Sequence, residues 1–198
     1  MHIQPLFPTF LATETLESGL VDNERIVALG HTLRARGNTP YFRGGYQTPD
    51  LDTDHAEAKD LLAVIRDRAC GIWERLLNGL PSHTPEIAQW WINIQSPGAD
   101  CFPPHVHKNQ SFSFVYYPQA TEGSGSINFI CPFQGLEYAL PLEHMGDKNM
   151  YTSPRWEIKP HTGLLVAFPG YLMHWVENNH SDSERISVAF NVEVKEKQ

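Results

Sequence analysis

The sequence predicts a mainly β domain, an antiparallel barrel or sandwich buttressed by helices. Three observations predict this fold class. Helical periodicity ends at about residue 85; short β-type runs separated by turn residues follow it; and no internal repeat or low-complexity segment interrupts the chain. Because many short strands after two helices are typical of sheets packed with helical support, we expect this architecture.

Length and composition fit one globular domain. The 198 residues are 41% apolar and 11% aromatic, which suits a single sizeable core. We expect one domain over 1–198, with a helical support region at 1–85 and a β core at 86–194. The three cysteines are far apart and odd in number, which fits neither a disulfide framework nor a Cys-x-x-Cys metal site.

Charge and hydropathy exclude several classes of partner. The formal net charge is -8, from 15 basic and 23 acidic residues, so no nucleic-acid partner is expected. No apolar run reaches the length of a membrane span and the N-terminus has no signal-peptide pattern, so we expect no membrane partner and a cytoplasmic location. The sequence leaves a homodimer open.

Two helices are predicted in the first part of the chain. Asn23 could cap a short helix that carries Ile26, Leu29 and Leu33. A stronger helix is expected near 55–78, where apolar residues recur at three- and four-residue steps until Asn78-Gly79 gives a stop signal. This apolar stripe is expected to pack against a sheet.

Six strands are predicted after residue 85, each bounded by turn residues. They are expected at 87–95, 111–117, 126–130, 163–168, 172–177 and 185–194. Between the third and fourth of these, residues 132–160 show only weak strand patterns. A long irregular segment of this kind is often a lid or a binding loop.

His105 and His107 form the pair that carries most chemical information. In a strand, residues i and i+2 share a face at roughly 6.6 Å, so both rings can turn toward one metal ion. One such pair is unsurprising among ten histidines. However, a rigid Phe-Pro-Pro run precedes it and an aromatic strand follows it, and this context favours a metal site on a β scaffold.

A third histidine and an arginine extend the pattern. His174 lies in an apolar strand, where an unpaired polar ring would cost desolvation energy. Arg185 and Ser187 follow a polar turn, and strand alternation directs their side chains to the same face. If the strands of His174 and Arg185 are adjacent, the imidazole and the guanidinium lie near one pocket. A buried arginine needs an anion, either a structural carboxylate or a ligand carboxylate.

These features together resemble a known family. The matching segments are Trp91–Gly98, His105-Val106-His107, Ser113–Tyr117, Gly163–Pro169, His174 and Arg185-Ile186-Ser187. In this order they resemble the Fe(II)- and 2-oxoglutarate-dependent dioxygenases, most of all small oxygenases related to the prolyl 4-hydroxylases. The resemblance implies a double-stranded β-helix, a cupin-like jelly roll with flanking helices, whose core is 86–194.

The resemblance also implies site residues. His105 matches the first iron-binding histidine, His107 takes the place usually held by Asp or Glu, and His174 matches the distal histidine. Arg185 matches the residue that binds the distal carboxylate of 2-oxoglutarate. Further hydrogen bonds to this cosubstrate are implied for Ser187, Tyr117, Gln95 and Asn93. No catalytic residue beyond the metal centre is implied.

His107 is the departure from the family pattern. The usual facial triad has two histidines and one carboxylate, and three imidazoles would keep its geometry but remove one negative charge. In one alternative His107 is no ligand and a water takes its place. In another, Asp100 or Glu184 supplies the carboxylate.

The resemblance implies the reaction and leaves the substrate open. It implies an enzyme that uses Fe(II), 2-oxoglutarate and O2, hydroxylates a small molecule or a peptide, and releases succinate and CO2. One alternative is a three-histidine cupin-type metalloenzyme that is independent of 2-oxoglutarate, for which Arg185 and Ser187 would have no explanation. A second is a non-catalytic metal-binding jelly-roll protein; structural zinc usually has four ligands, often thiolates. Specificity is expected to lie in loops 43–54 and 132–160.

Overall fold

The computed structural model describes residues 1, 7–37, 43–53, 55–133, 146–147 and 149–197. In these ranges the strands are β1 (Ala12–Thr15), β2 (Gly45–Gln47), β3 (His83–Gln95), β4 (Phe102–His105), β5 (Phe112–Gln119), β6 (Ile127–Ile130), β7 (Arg155–Ile158), β8 (Leu164–Pro169), β9 (His174–Val176) and β10 (Arg185–Glu196). The helices are α1 (Asn23–Arg36) and α2 (Lys59–Gly71), and a π-helical turn, Ile72–Leu76, continues α2.

The strands form two antiparallel sheets. The larger has six strands in the order β1-β8-β5-β10-β3-β2, and the smaller has four in the order β4-β9-β6-β7. The longest strand pairing in the six-stranded sheet joins β10 to β3, from Arg185 opposite Gln95 to Glu196 opposite His83. This arrangement confirms the predicted jelly-roll class, mainly β with few helices.

The helices cover the outer face of the six-stranded sheet. Alternate residues of β3 and β10, such as Ile92 and Phe190, are fully buried there. They pack against Ile26 of α1 and against Leu61 and Ile65 of α2. Because each fully buried aliphatic or aromatic side chain contributes roughly 1.5–3 kcal/mol, this layer anchors the sheet.

The inner face of the same sheet is apolar on one side and polar on the other. Val115 and Tyr117 of β5 join Phe129 of the smaller sheet in a second buried cluster. On β3 and β10, by contrast, the residues of this face alternate with the apolar outer ones and include Asn93, Gln95, Arg185, Ser187 and Asn191, all buried. Buried polar side chains at this density need partners, and they mark the interior between the sheets as the candidate site.

The strand predictions with strong patterns are confirmed. The six strands predicted after residue 85 correspond to β3, β5, β6, β8, β9 and β10. Four strands lack a prediction: β1, β2, β4 and β7. Each is only three or four residues long, and β1 and β7 are mostly exposed. β4 contains two prolines and lies at an edge of its sheet, where a missing backbone donor is tolerated.

The predicted helix ends are wrong in detail. The N-cap of α1 is Asp22, whose carboxylate accepts a hydrogen bond from the Arg25 backbone N–H at 3.1 Å. Asn23 instead accepts a hydrogen bond from the Tyr116 hydroxyl at 2.7 Å, which ties α1 to β5. The second helix was predicted to 78, but its α-helical part ends at Gly71.

No helix among the described residues is long and apolar enough to cross a membrane. The predicted long segment 132–160 contains β7, while 134–145 and 148 lie outside the described residues. The single-domain organisation, the cytoplasmic location and the homodimer stay predictions.

Candidate metal centre and anion site

Three histidines converge between the two sheets. His105 ends β4 and lies opposite His174 in the pairing of β4 with β9, while His107 follows two residues later. The ring centroids are 4.3 Å apart for His105 and His174, 5.3 Å for His105 and His107, and 5.1 Å for His107 and His174. One nitrogen from each ring lies within 4.8 Å of the others, so a single ion could contact all three.

Hydrogen bonds fix the same tautomer on each ring. Nδ1 lies 2.8 Å from the Pro103 carbonyl in His105 and 2.9 Å from the Leu172 carbonyl in His174. In His107 it lies 2.5 Å from the side-chain oxygen of Asn191. Because these oxygens only accept, each Nδ1 must carry the hydrogen, and Nε2 is left with a free lone pair. Metal-binding histidines commonly donate their second ring N–H in this way.

Burial keeps two of the rings neutral. It lowers the pKa of His107 to about 4, with a smaller contribution from the charge of His105. It also lowers the pKa of His174 to about 3, since this side chain is only 4% exposed and faces the rings of Phe129 and Phe168. Neutral imidazole is the form that binds a metal, so the cluster is ready for an ion near neutral pH.

The prediction that both members of the His-Val-His pair lie on one strand is only half right. β4 ends at His105, and His107 is held beyond it by its backbone N–H, which donates to the Gly170 carbonyl at 2.9 Å. Two alternative ligands do not join the described metal cluster, which contains only the three histidines. Of these, Glu184 is paired with His31 and Arg34 of α1, and Asp100 is exposed.

Arg185 is a buried cation without a carboxylate partner among the described residues. Its side chain is 2% exposed; one terminal nitrogen donates to the carbonyls of Ser124, at 3.1 Å, and Gly125, at 2.7 Å, and Nε has no partner. Burial lowers the pKa of this guanidinium to about 10, and electrostatic interactions with Tyr117 and Glu177 partly offset the effect. It therefore stays cationic at neutral pH, and a buried unpaired charge favours an anionic ligand.

The remaining predicted cofactor residues surround Arg185. Gln95 is its direct cross-strand partner, and Asn93 is the partner of Ser187 on the same face. The side-chain oxygens of Gln95 and Asn93 are buried without hydrogen-bond partners, so this patch has unused polar capacity. Tyr117 completes the set from β5: burial raises the pKa of its phenol to about 12, and the charge of Arg185 partly offsets this. Its phenol is thus a neutral donor.

The strands of His174 and Arg185 are not adjacent in either sheet. β9 pairs with β4 and β6 in the smaller sheet, while β10 pairs with β3 and β5 in the larger. The two residues therefore belong to facing sheets. The interior between those sheets, rather than a shared strand pair, is what relates the histidines to the arginine.

Three residues of the candidate site were not predicted as site residues: Asn191, Ser113 and Trp91. Asn191 contacts His107 directly, and its side-chain oxygen also accepts a hydrogen bond from Ser113 at 3.2 Å. Trp91 stacks on the His107 ring with centroids 5.9 Å apart and planes 13° apart. The available signal was alternation, because Asn191 lies on the same face of β10 as Arg185 and Ser187.

Comparisons with known proteins identify the chain's relatives. The family described as "Putative 2OG-Fe(II) oxygenase" matches residues 89–191, which is more than half of the chain and includes all eight predicted site residues. None of the curated protein sequences matches.

Several solved structures share the fold. A prolyl 4-hydroxylase from Pseudomonas putida superposes with a TM-score of 0.62 at 18% identity, covering 92% of this chain and 91% of that one. HygX from Streptomyces hygroscopicus, with nickel, 2-oxoglutarate and hygromycin B bound, has a TM-score of 0.59 at 12% identity, covering 93% and 83%. A prolyl hydroxylase from Trichoplax adhaerens, in complex with a peptide fragment, has a TM-score of 0.60 at 13% identity, covering 93% and 82%.

Proposed function

The chain belongs to the 2OG-Fe(II) oxygenase family, and on that basis we propose that it is a 2-oxoglutarate-dependent dioxygenase that hydroxylates a small molecule or a peptide. Fe(II) is its metal and 2-oxoglutarate its cosubstrate. In this proposal His105, His107 and His174 hold the metal, and Arg185 holds the far carboxylate of the cosubstrate. Succinate and CO2 are the products expected beside the hydroxylated substrate.

One observation carries the proposal: Arg185 is a buried cation on the same inner face as Trp91 and Asn191, which contact His107, and its Nε has no hydrogen-bond partner among the described residues. A structural counter-ion would be a carboxylate within ion-pair distance, and none is present among the described residues. A dicarboxylate that reaches from the metal to Arg185 would supply the missing anion. Planar guanidinium groups suit this role because they can bind a carboxylate through two hydrogen bonds.

The donor set fits iron. Imidazole nitrogen is a suitable ligand for Fe, Ni, Cu and Zn, and three ligands on one side of an ion leave positions open for exogenous groups. The described cluster contains no cysteine, and a fourth protein ligand is absent from it. This argues against a closed structural zinc site, which normally has four protein ligands.

The protein's own residues bind and orient the reactants. The three Nδ1–H hydrogen bonds hold the rings with Nε2 free for the metal. Ser187, Tyr117, Gln95 and Asn93 offer further hydrogen bonds around the carboxylate of the cosubstrate. Phe129 and Phe168 pack on the His174 ring, and so limit the access of water to that side. When bound, Fe(II) and 2-oxoglutarate supply O2 activation coupled to oxidative decarboxylation.

A 2-oxoglutarate-independent cupin-type enzyme remains the alternative hypothesis. It would use the same histidines, but it assigns no ligand to Arg185. A non-catalytic metal-binding protein meets the same difficulty. Two of the structural relatives contain either hygromycin B or a peptide fragment, and for this chain both substrate classes therefore stay in the proposal.

The test is spectroscopic and needs no substrate. Adding Fe(II) and 2-oxoglutarate to the protein without oxygen should produce the visible charge-transfer band of the chelate. Arg185→Ala and His174→Ala should lose the band, or require far more cosubstrate to produce it. Arg155→Ala is the matched control, because it removes an exposed arginine of β7 and should leave the band unchanged. No band in the wild type, or an unchanged band in Arg185→Ala and His174→Ala, would contradict the proposal.

A further inference from the structure

A chain of side-chain hydrogen bonds links His107 to a carboxylate at the protein surface. The His107 Nδ1–H donates to Asn191 Oδ1 at 2.5 Å, Asn191 Nδ2 donates to Gln89 Oε1 at 3.2 Å, and Gln89 Nε2 donates to Asp50 Oδ2 at 2.7 Å. Each of the two amides accepts a hydrogen bond from the side of His107 and donates one toward Asp50. All three hydrogen bonds therefore point from the histidine to the carboxylate. We call Asp50, Gln89 and Asn191 the relay.

We propose that Asp50, acting through the relay, increases the electron density on the third metal ligand, His107. The negative charge of Asp50 would in this way take over part of the role of the carboxylate ligand in the usual facial triad. This inference rests on the proposed metal site. In hydrogen-bonded chains each bond polarises the next, and here the charge of Asp50 increases the electron density on the amide oxygen that accepts from His107. A stronger acceptor at Nδ1 makes Nε2 a more basic ligand.

The relay belongs to His107 alone among the three ligands. His105 and His174 donate to the backbone carbonyls of Pro103 and Leu172, which carry no side-chain charge. His107 is the ligand at the position where the usual triad has its carboxylate, and it is also the ligand that a side-chain carboxylate reaches through hydrogen bonds. This coincidence is the main argument for the proposal.

The register of β3 with β10 brings two relay residues, Asn191 and Gln89, next to each other. Asn191 and Gln89 are direct cross-strand partners on β10 and β3, and the register shifts between Asn191 and Val192 immediately beside this pair. Bulges of this kind redirect side chains and occur often beside active sites. The Ser113 hydroxyl donates to the same Asn191 oxygen at 3.2 Å, which fixes the orientation of the amide.

Asp50→Asn is the first test, since Asp50 is exposed and the change keeps the side-chain shape. Its matched control is Asp52→Asn, which removes the same charge from the same exposed segment but touches no relay residue. The affinity for Co(II), titrated by its visible absorption, should fall roughly threefold to tenfold in Asp50→Asn and stay unchanged in Asp52→Asn. Asp50→Glu should restore much of the affinity. High salt should reduce the difference, because it screens an exposed charge.

A second readout needs no metal. Ring-nitrogen NMR shifts of the metal-free protein should show the Nδ1–H tautomer of His107, and Asp50→Asn should move the shifts of His107 but not those of His105 or His174. Gln89→Met breaks the relay in its middle and should reproduce both effects. In the double variant, Asp50→Asn should then add little further loss, because the two changes interrupt one chain.

The outcomes separate this inference from the proposed function. Equal Co(II) affinities in Asp50→Asn and Asp52→Asn, or additive losses in the double variant, would overturn the relay. A relay that behaves as expected in a protein giving no charge-transfer band with Fe(II) and 2-oxoglutarate would overturn the proposed function and support the relay. A normal charge-transfer band together with unchanged His107 NMR shifts in Asp50→Asn would support the proposed function and overturn the relay.

Discussion

Arg185 lies directly opposite Gln95 in the pairing of β10 with β3, and each contributes a buried polar atom, Nε and Oε1, that has no hydrogen-bond partner in the described part of the chain. Native proteins leave few such atoms, and each one carries a cost. Two unpaired polar atoms on neighbouring residues in the interior indicate a binding site for a polar ligand.

Replacing Arg185 with methionine should separate stability from binding. Because the buried guanidinium has no carboxylate counter-ion among the described residues, Arg185→Met should cost the unliganded protein little stability or even raise it. The same change should abolish the rise in Tm that 2-oxoglutarate gives the Mn(II)-loaded protein, a rise equivalent to about 2.7 kcal/mol at 100 times Kd. Arg185→Lys, which keeps the charge, should keep part of that rise. A large loss of stability in unliganded Arg185→Met would instead mean that this side chain is structural.

Stability of the metal-free protein should fall with pH below about 6.5. Folding lowers the pKa of His107 to about 4 and of His174 to about 3, so between pH 6.5 and those values the unfolded chain binds protons that the folded chain does not. The free energy of unfolding should therefore decrease over this window, by on the order of 1.4 kcal/mol for each unit of pKa difference. Urea unfolding at several pH values measures it.

His174→Asn gives the control for this pH dependence, because the variant has no titrating group at the most buried position. Its stability should vary less with pH between 6.5 and 4 than that of the wild type. Identical slopes for the two proteins would show that the burial of His174 does not control the titration.

Gly125→Ala should lower the stability of the fold and displace the backbone carbonyl that binds Arg185. Gly125 has a φ of +91°, and a Cβ there would lie 2.5 Å from the Asn178 carbonyl and 2.6 Å from that of Glu177. Gly19→Ala is a matched control, since its φ is +86° but a Cβ would meet nothing within 4 Å. We expect Gly19→Ala to cost about 1 kcal/mol, and Gly125→Ala clearly more.

The same glycine should influence 2-oxoglutarate binding, because its carbonyl accepts a hydrogen bond from Arg185 at 2.7 Å. Gly125→Ala should therefore also weaken the affinity for 2-oxoglutarate, as isothermal titration of the Mn(II)-loaded protein would show. An affinity equal to that of Gly19→Ala would indicate that the loop does not position the guanidinium.

The ion pair between Arg68 and Glu14 should contribute little. Arg68 binds Glu14 through two hydrogen bonds of 2.7 Å, which hold the pKa of the Glu14 carboxyl below its usual value. The stabilisation is present above pH about 4.5 and lost as the pH falls below it. Because both side chains are more than a third exposed, Glu14→Gln should cost less than about 1 kcal/mol at pH 7. Glu17→Gln, at an exposed position with no such partner among the described residues, should cost nothing; a loss of several kcal/mol in Glu14→Gln would contradict this account.

The sequence predicted the strands whose residues alternate or are continuously apolar. β5 and β8 are buried almost throughout, so their runs of aromatic and aliphatic residues are legible without a structure. β1 and β7 are short and mostly exposed, and what makes them strands is pairing with β8 and β6. That information lies in the partner strands rather than in their own residues.

The convergence of His105, His107 and His174 and the burial of Arg185 agree with the sequence pattern, because spacing and residue type indicate both. The relay was not predictable in the same way. Gln89 and Asn191 belong to no motif, and only the register of β3 with β10 makes them neighbours. Asp50 follows β2, and the 39 residues of sequence that separate it from Gln89 contain α2 and the π-helical turn. Long-range register of this kind cannot be inferred from local pattern.

The most direct test of the central claim is a crystal structure of the protein with Mn(II) and 2-oxoglutarate, prepared without oxygen. The account predicts one metal ion bound by Nε2 of His105, His107 and His174, at about 2.0–2.3 Å, with the far carboxylate of 2-oxoglutarate on Arg185. A metal ion bound without His107, or 2-oxoglutarate bound away from Arg185, would contradict it.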